Sequence, residues 1–331
     1  MTGELKISAE EILARATAIA SATGEEPALC IEDATIAGAL DLSGTTNELQ
    51  LAFVRCRFEQ GLILRGAGLR SIFLGGCNLL AIEAEGLNLR EDFQLCEGSR
   101  VAESIRLNEA RIAGSLSCSG ATIGSANGDA LIADAAAIGG HLLMSNGFVA
   151  AGAVSMRQAR IGGTVYCAHG RFEQPNRAAL IMDDAQIAGS VIMSHGFKAR
   201  GEVSLRRARI GGLLYCAHGA FEHAGATAFA ADGVAIGGRA FLGEWFNAKG
   251  AVVLREATIA NDLYCVGGIF QNSGAIALNA DGVRVGGSVR MNSRFLAQGQ
   301  VRLVDATIGG MLDCTNGRFE HPGGRPSLRG A

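Results

Sequence analysis

Three histidines occupy equivalent places in the chain and could supply a metal site. His169, His195 and His218 follow one another at intervals of 26 and 23 residues. If these intervals are successive coils of a stacked structure, the imidazoles form a row with a spacing of about 4.8 Å, and such a row could converge on a metal ion. The same place elsewhere holds Asn146 and Gly267, which are typical of left-handed turns. The pattern therefore favours a turn, with a metal centre as the alternative.

Five cysteines could carry thiol chemistry, but their spacing indicates a structural role. They stand 49 residues apart, and residues of similar volume stand between them, so that the series reads Cys118, Met144, Cys167, Met193, Cys216, Leu242, Cys265, Met291 and Cys314. We call this series the ladder. Regular recurrence at a fixed period indicates a repeat array, and buried Cys and Met pack as soft hydrophobic groups. The ladder is therefore predicted to fill the core. Its cysteines, two coils or about 9.6 Å apart, are too distant for disulfides.

One column of apolar and aromatic side chains could form a recognition surface. It immediately precedes the ladder residues and is predicted to face outward, with polar residues at both of its ends. Its members are Leu143, Tyr166, Ile192, Tyr215, Phe241 and Tyr264. Outward aromatic side chains gathered in one row are typical of interaction surfaces. The alternative is that loops of the longer coils fold over this face.

A charged column alternates in sign along the repeats. It contains Asp134, Arg157, Asp183, Arg206, Asp232, Arg255 and Asp281. We interpret it as a surface charge ladder that fixes the register of the coils. A phosphate site or a site for an acidic partner is the alternative, and the alternation of sign argues against it.

The sequence contains no recognisable catalytic motif. It has no Walker loop, no HExxH, no GxSxG and no CxxC. Its glycine pairs, as in Gly211-Gly212, stand in no βαβ pattern and so do not indicate a dinucleotide site. We predict a non-enzymatic protein without a cofactor.

The elements that must position these residues are short and repeat about every five residues. Leu64, Leu69, Leu74 and Leu79 show this period, and phrases such as Cys77-Asn78-Leu79 have the form of a small, a polar and a large apolar residue. The chain from about residue 30 to 328 resembles the pentapeptide-repeat family. The resemblance implies an all-β fold, a right-handed parallel quadrilateral β-helix (solenoid), with the large residues pointing inward.

A glycine column interrupts the five-residue period once in nearly every coil. The column lies two residues after a recurring Ile or Val, and we predict positive φ and a corner bulge there. Its members are Gly38, Gly114, Gly140, Gly163, Gly189, Gly212, Gly238, Asn261, Gly287 and Gly310.

The two ends of the chain differ from the repeats. Ser8 and Glu11 form a capping-box pattern, and Ile12, Leu13 and Ala16 give one apolar face, which predicts a capping α-helix over about 9 to 22. We therefore divide the chain into a cap over residues 1–29 and a β-helix over 30–331. The segment after residue 321 begins another coil without a visible cap, and an open sheet edge at Leu328 predicts a homodimer through the C-terminal coil.

Composition limits the kinds of partner. With 29 Lys and Arg against 32 Asp and Glu, the formal net charge is −3, which implies no general affinity for nucleic acid. No apolar run has the length of a membrane span, and the start lacks a secretory signal. With nine Cys, this predicts reduced thiols and a cytoplasmic location.

Three functions are compatible with these patterns. The first is a non-catalytic protein-binding or scaffold β-helix that uses the outward column of apolar and aromatic residues. The second follows from the resemblance, because some pentapeptide-repeat proteins mimic DNA, bind DNA gyrase or topoisomerase IV and confer resistance or immunity. The alternating charges argue against such mimicry here. The third is a metal-binding enzyme on the histidine row.

Overall fold

The computed structural model describes residues 5–21, 27–124 and 128–321. The chain divides into two compact units, Met1–Gly162 and Gly163–Ala331. Each unit is a parallel β-helix, in which one coil pairs with the next through parallel strands. The predicted fold class is confirmed: the chain is nearly all parallel β, with one short N-terminal helix. We number the faces of a coil 1 to 4 in chain order.

Four rows of strands form the faces of the N-terminal unit. Face 1 consists of Ala28–Glu32, Gln50–Val54, Ser71–Gly75, Phe93–Cys96, Leu116–Ser117 and Leu142–Leu143. Face 2 consists of Ala34–Ala37, Arg57–Phe58, Asn78–Leu79, Arg100–Val101, Thr122–Ile123 and Val149–Ala150. Face 3 consists of Leu40–Asp41, Leu62–Ile63, Ile82–Glu83, Ile105–Arg106, Asp129–Ile132 and Ala153–Ser155. Face 4 consists of Gly68–Leu69, Asn88–Leu89, Arg111–Ile112, Ala137–Ile138 and Arg160–Ile161.

In the C-terminal unit, longer strands span faces 2 and 3 together. Face 1 consists of Val165–Tyr166, Val191–Ile192, Leu214–Tyr215, Ala240–Phe241, Leu263–Tyr264, Val289–Arg290 and Leu312–Asp313. Faces 2 and 3 consist of Arg171–Ile181, Lys198–Ser204, Ala220–Ala230, Asn247–Val253, Ile269–Asn279, Leu296–Arg302 and Arg318–Glu320. Face 4 consists of Gln186–Ile187, Arg209–Ile210, Ala235–Ile236, Thr258–Ile259, Arg284–Val285 and Thr307–Ile308.

The N-terminal segment covers the first coil with a strand and a helix. Strand Leu5–Ser8 pairs in parallel with Ala34–Ala37, and helix α1 follows over Ala9–Ser21. The Glu11 backbone N–H donates to Ser8 Oγ at 3.1 Å, which is the predicted N-cap. Ile12 and Ala16 are buried, because this face of α1 packs on the first coil. The helix is thus confirmed as far as Ser21; residue 22 lies outside the described residues.

Inward columns of side chains fill each β-helix. The ladder residues from Cys118 to Met291 are buried, which confirms their role as core filling. On face 3 of the C-terminal unit, two small buried residues each follow a large buried residue by two positions: Ala231 follows Phe229, and Ala280 follows Leu278. Such compensation of volume is expected of a close-packed interior.

A row of phenylalanine rings occupies the inner side of face 2 in the C-terminal unit. Adjacent rings have centroids between 5.0 Å and 5.3 Å apart. The row contains Phe172, Phe197, Phe221, Phe246, Phe270, Phe295 and Phe319. The row was not predicted from the sequence, although each ring follows a ladder residue by four or five positions.

The glycine column after the recurring Ile or Val was predicted to have positive φ, and this prediction is wrong. In the part of the chain that the structure describes, Gly38 is the column's one member with positive φ, at 84°. The physical reason for glycine is instead a close approach of consecutive coils. A Cβ on Gly212 would lie 2.4 Å from Ser190 Oγ and 3.1 Å from the Gly189 carbonyl carbon, and one on its neighbour Gly211 would lie 2.3 Å from the Ala188 carbonyl oxygen.

The extra residues of the long coils lie at the corner between faces 2 and 3. The strand Arg171–Ile181 loses register with Lys198–Ser204 between Glu173 and Ala178. Gly201 of the next, shorter coil occupies this corner with φ +114°, where a Cβ would lie 2.2 Å from the Gln174 carbonyl oxygen. Gly250 and Gly299 repeat this arrangement, with φ of +127° and +138°. Only glycine fits a corner that is both left-handed and this close to another backbone.

Candidate interaction surface

The outward residues of face 1 in the C-terminal unit form a continuous row. Strand pairing places each of them directly beside the next. We call the row the aromatic stripe; it consists of Tyr166, Ile192, Tyr215, Phe241 and Tyr264. Leu143, the remaining predicted member, belongs to the N-terminal unit, where it is half-buried beside Ser117.

Side chains of the aromatic stripe touch one another and remain partly accessible. The Tyr215 and Phe241 rings meet edge to face with centroids 5.3 Å apart, and Phe241 and Tyr264 have centroids 5.5 Å apart. Tyr166 is 38% exposed, and the other members are half-buried. The contacts pack the rings of Tyr215, Phe241 and Tyr264 against one another, so that this part of the stripe forms a continuous apolar surface.

The alternative covering of this face by long-coil loops concerns a different corner. The extra residues of those coils fall between Glu173 and Ala178, between Glu222 and Thr227, and between Gln271 and Ile276. These breaks in register lie between faces 2 and 3, whereas the aromatic stripe lies on face 1.

The surroundings of Tyr215 perturb the ionisation of its phenol. Burial raises the pKa of its phenol, and the neighbouring Glu244 carboxylate raises this pKa further through its charge and by accepting a hydrogen bond. Both effects favour the neutral phenol. The hydroxyl of Tyr215 therefore remains a hydrogen-bond donor at neutral pH.

The histidine row lies at the turn between faces 1 and 2. The backbone φ of His169, His195 and His218 is 59°, 44° and 59°, which confirms the predicted left-handed turn. The His195 and His218 ring centroids are 5.6 Å apart, and His195 Nδ1 lies 2.9 Å from Ser194 Oγ. Among residues 5–21, 27–124 and 128–321, no group of three or more His, Cys, Asp or Glu side chains is arranged to hold a metal ion.

Two bulky side chains in this row of turns were missed by the sequence analysis. Trp245, with φ 67°, and Arg294, with φ 70°, adopt left-handed backbone where the equivalent turns have Gly147 and Gly196. Trp245 is 61% exposed. With Gly267 between them, the two side chains line a surface groove of about 410 Å³. The signal in the sequence was the loss of glycine from a turn that elsewhere contains it.

The ladder thiols are unsuited to chemistry. Burial raises the pKa of Cys118 to about 12, and it raises the pKa of Cys167, Cys216 and Cys265 as well. A thiol must ionise to act as a nucleophile. These cysteines therefore serve packing.

The alternating charge column forms ion pairs between coils. Arg206 Nε lies 3.7 Å from Asp232 Oδ2, and Arg255 Nε lies 2.7 Å from Asp232 Oδ1. In the N-terminal unit, Arg157 lies 3.7 Å from Asp134. These three pairs confirm part of the predicted charge ladder. Asp281 pairs instead with Arg302, outside the column, at 2.7 Å between Oδ2 and Nη2.

The remaining predicted site concerns the C-terminal coil. The segment 322–331, with Leu328, lies outside the described residues, and the homodimer stays a prediction. In the described part of the chain, no helix has the length and hydrophobicity that crossing a membrane requires.

Comparison with known proteins supplies no relative for this chain. A scan of protein-family models, a search of curated proteins and a search of solved structures each gave no match.

Proposed function

We propose that the protein is a non-catalytic scaffold that binds a protein partner through the aromatic stripe. The observation that supports this proposal is the stacking of five aromatic or aliphatic side chains in register on one outward face. Their backbone is held by strand pairing, so that little entropy is lost when a partner docks. Central aromatic residues of such a surface are typical binding hot spots.

The described charges favour this function over DNA mimicry. A mimic of DNA needs a strongly acidic surface, whereas the carboxylates of Asp232 and Asp184 are paired with Arg255 and Arg207. A catalytic metal site on the histidine row has no observation in its favour.

The experiment compares two variants in capture from a lysate. Tyr215→Ala combined with Phe241→Ala removes the centre of the stripe. Leu213→Ala is the control, because Leu213 is also an exposed apolar residue, at 37%, but lies outside the stripe. We expect the double variant alone to lose captured partners while melting at nearly the wild-type temperature. Capture that survives in the double variant would place recognition on another surface. A large fall in its melting temperature would assign these side chains to packing.

A further inference from the structure

We infer that the aromatic stripe binds a proline-rich segment in the polyproline II conformation, with an acidic residue at the end of the stripe nearest Arg294. The inference rests on the proposed function and names the chemistry of the partner. Three observations support the inference: the spacing of the tyrosines, the short Ile192 side chain among aromatic rings, and the charged residues at the end of the stripe.

The period of the tyrosines matches that of polyproline II. Tyr166, Tyr215 and Tyr264 occupy every second coil, so that they are spaced at about 9.6 Å for strands about 4.8 Å apart. Polyproline II has three residues per turn and a rise of about 3.1 Å per residue, and it therefore returns the same face every 9.3 Å or so. Over the four coil steps of the stripe the mismatch amounts to only about 0.6 Å.

Other peptide conformations fit less well. A β-strand presents side chains on the same face every two residues, or about every 6.8 Å, and this repeat does not match the spacing of the tyrosines. An α-helix advances about 5.4 Å per turn and accumulates a mismatch of about 2.4 Å over the same four steps. A rigid row of side chains cannot absorb such a difference, whereas a polyproline II segment is already close in period.

The shorter side chain at Ile192 favours a proline ring between Tyr166 and Tyr215. Ile192 is the member without a ring, and it lies between Tyr166 and Tyr215. The His195 ring stacks beside Tyr215, with centroids 6.4 Å apart and an interplanar angle of 28°. The shorter Ile192 side chain with aromatic rings around it is a lining of the kind that binds proline.

The C-terminal half of the stripe has positive charge beyond Tyr264 and a free donor on the coil of Phe241. Arg290 lies in register between Tyr264 and Asp313, and the Asp313 carboxylate offsets its charge. Arg294 on the same coil is exposed and forms no ion pair among the described residues. The Trp245 indole, 61% exposed, makes no hydrogen bond within the described ranges. Because polyproline II leaves its carbonyl groups without internal partners, an indole N–H can donate to one of them while an arginine binds an acidic side chain.

The test uses the intact protein and its own fluorescence. Trp245 is the one tryptophan of the chain. It lies at the turn after Phe241, so that its emission reports on binding beside the stripe. The probe is a synthetic peptide of about ten residues, built from Pro-Pro-Leu repeats so as to span the row, with two Glu at one end. The control peptides replace the prolines with alternating Val and Thr, or replace Glu with Lys.

We expect saturable binding of the Glu-ended proline peptide and at least about tenfold weaker binding of both controls. Tyr215→Ala should weaken binding of the proline peptide by about tenfold or more, and Leu213→Ala should leave its affinity unchanged. Arg294→Glu should reverse the preference so that the Lys-ended peptide binds more tightly. Circular dichroism and melting temperature establish that each variant is folded.

Three outcomes would overturn the inference. They are no saturation by any peptide up to about 1 mM, equal binding of the Val-Thr peptide, and binding that Tyr215→Ala leaves unchanged. If no peptide binds while capture from lysate still depends on Tyr215 and Phe241, the polyproline inference fails and the proposed function stands. If capture is also independent of these residues, both fail.

Discussion

Contact with neighbouring coils determines which residue types occur at the buried positions of the repeat. The ladder cysteines are buried and the carboxylates of the charge column are paired, so that each conspicuous residue type has a packing or register role. Tyr166, Trp245 and Arg294 are among the exposed residues that have no such role. The repeat itself gives no reason for these residues, and they are therefore candidates for recognition.

Cys216→Ser should destabilise the protein by about 1–3 kcal/mol, because a buried hydroxyl replaces an apolar thiol at a fully buried position. Chemical denaturation measures the change in the free energy of unfolding. Cys30→Ser is the control, since Cys30 is exposed, and its effect should be negligible. In the native protein a thiol reagent should modify Cys30 quickly and Cys216 only after unfolding. Rapid native labelling of Cys216 would contradict the assignment.

Gly212→Val should lower the free energy of unfolding by more than about 1 kcal/mol, because its side chain would enter the backbone of the preceding coil. Gly211→Ala should be destabilising too, since its Cβ would lie 2.3 Å from the Ala188 carbonyl oxygen. Gly128→Ala is the control, with open space around the added carbon. Thermal melts of the three variants decide the matter, and a wild-type melting temperature for Gly212→Val would refute the close approach.

At the scale of the element, periodicity predicted the strands and the capping helix well. A large residue at every fifth position specifies an inward side chain whatever the exact strand length, and the Ser8 to Glu11 pattern specifies where α1 begins. The strand Leu5–Ser8 was missed because four residues carry too little periodicity to be recognised. The glycine corner was misjudged because positive φ and close backbone approach both select glycine, and a sequence does not distinguish the two causes.

The covering of the first coil should depend on Ile12. Ile12→Ala should destabilise the protein by about 2–5 kcal/mol, because Ile12 is fully buried between α1 and the coil. Ser8→Ala removes the N-cap acceptor of α1 and should cost about 1 kcal/mol. Thermal denaturation followed by circular dichroism measures both. If Ile12→Ala were no worse than Ala18→Gly, on the exposed side of α1, the helix would not be docked as described.

The phenylalanine row should contribute more to stability than any member of the aromatic stripe. Phe246 is fully buried between Phe221 and Phe270, so that Phe246→Ala should cost about 3–5 kcal/mol. Phe246→Leu keeps most of the volume and should cost clearly less. Equilibrium unfolding in urea gives both values. A Phe246→Ala variant as stable as Tyr264→Ala would show that the row does not carry the core.

At the scale of the whole molecule, function was less predictable than fold. A solenoid repeats its core once per coil, and the same spacing of buried residues therefore recurs many times in the sequence. A binding surface does not recur in every coil, because it consists of side chains that depart from the repeat. Trp245 is recognised as such a departure only when its turn is compared with the equivalent turns of other coils. The members of the stripe were identified because three tyrosines share one column.

Acid should destabilise the protein through carboxylates that bind arginine. Arg55 lowers the pKa of Asp33 by donating hydrogen bonds, and Arg207 lowers the pKa of Asp184 in the same way. A carboxylate whose pKa is lower in the folded state stabilises the fold above its unfolded pKa of about 3.9, and this contribution disappears as pH falls through the folded value. The melting temperature should therefore fall below about pH 4.

Asp184→Asn should flatten part of this dependence and leave the melting temperature at pH 7 nearly unchanged, because exposed pairs contribute little individually. The measurement is a series of thermal melts from neutral to acidic pH. An acid limb identical in wild type and in the Asp33→Asn, Asp184→Asn double variant would assign acid sensitivity to other groups.

The corner between faces 2 and 3 is a place where this fold can accept inserted residues. Other corners differ in length by single residues: three positions separate Leu69 from Ile72, whereas four separate their register partners Leu89 and Phe93. The corner between faces 2 and 3 takes the larger insertions. At this corner the long coil adds residues between Glu173 and Ala178, and Gly201 of the next coil resumes the register. Insertions at Gly225 or Gly274, whose added carbon meets open space, would leave the stack intact. The chain can therefore accept new sequence at this corner while strand pairing holds the rest of each coil in register.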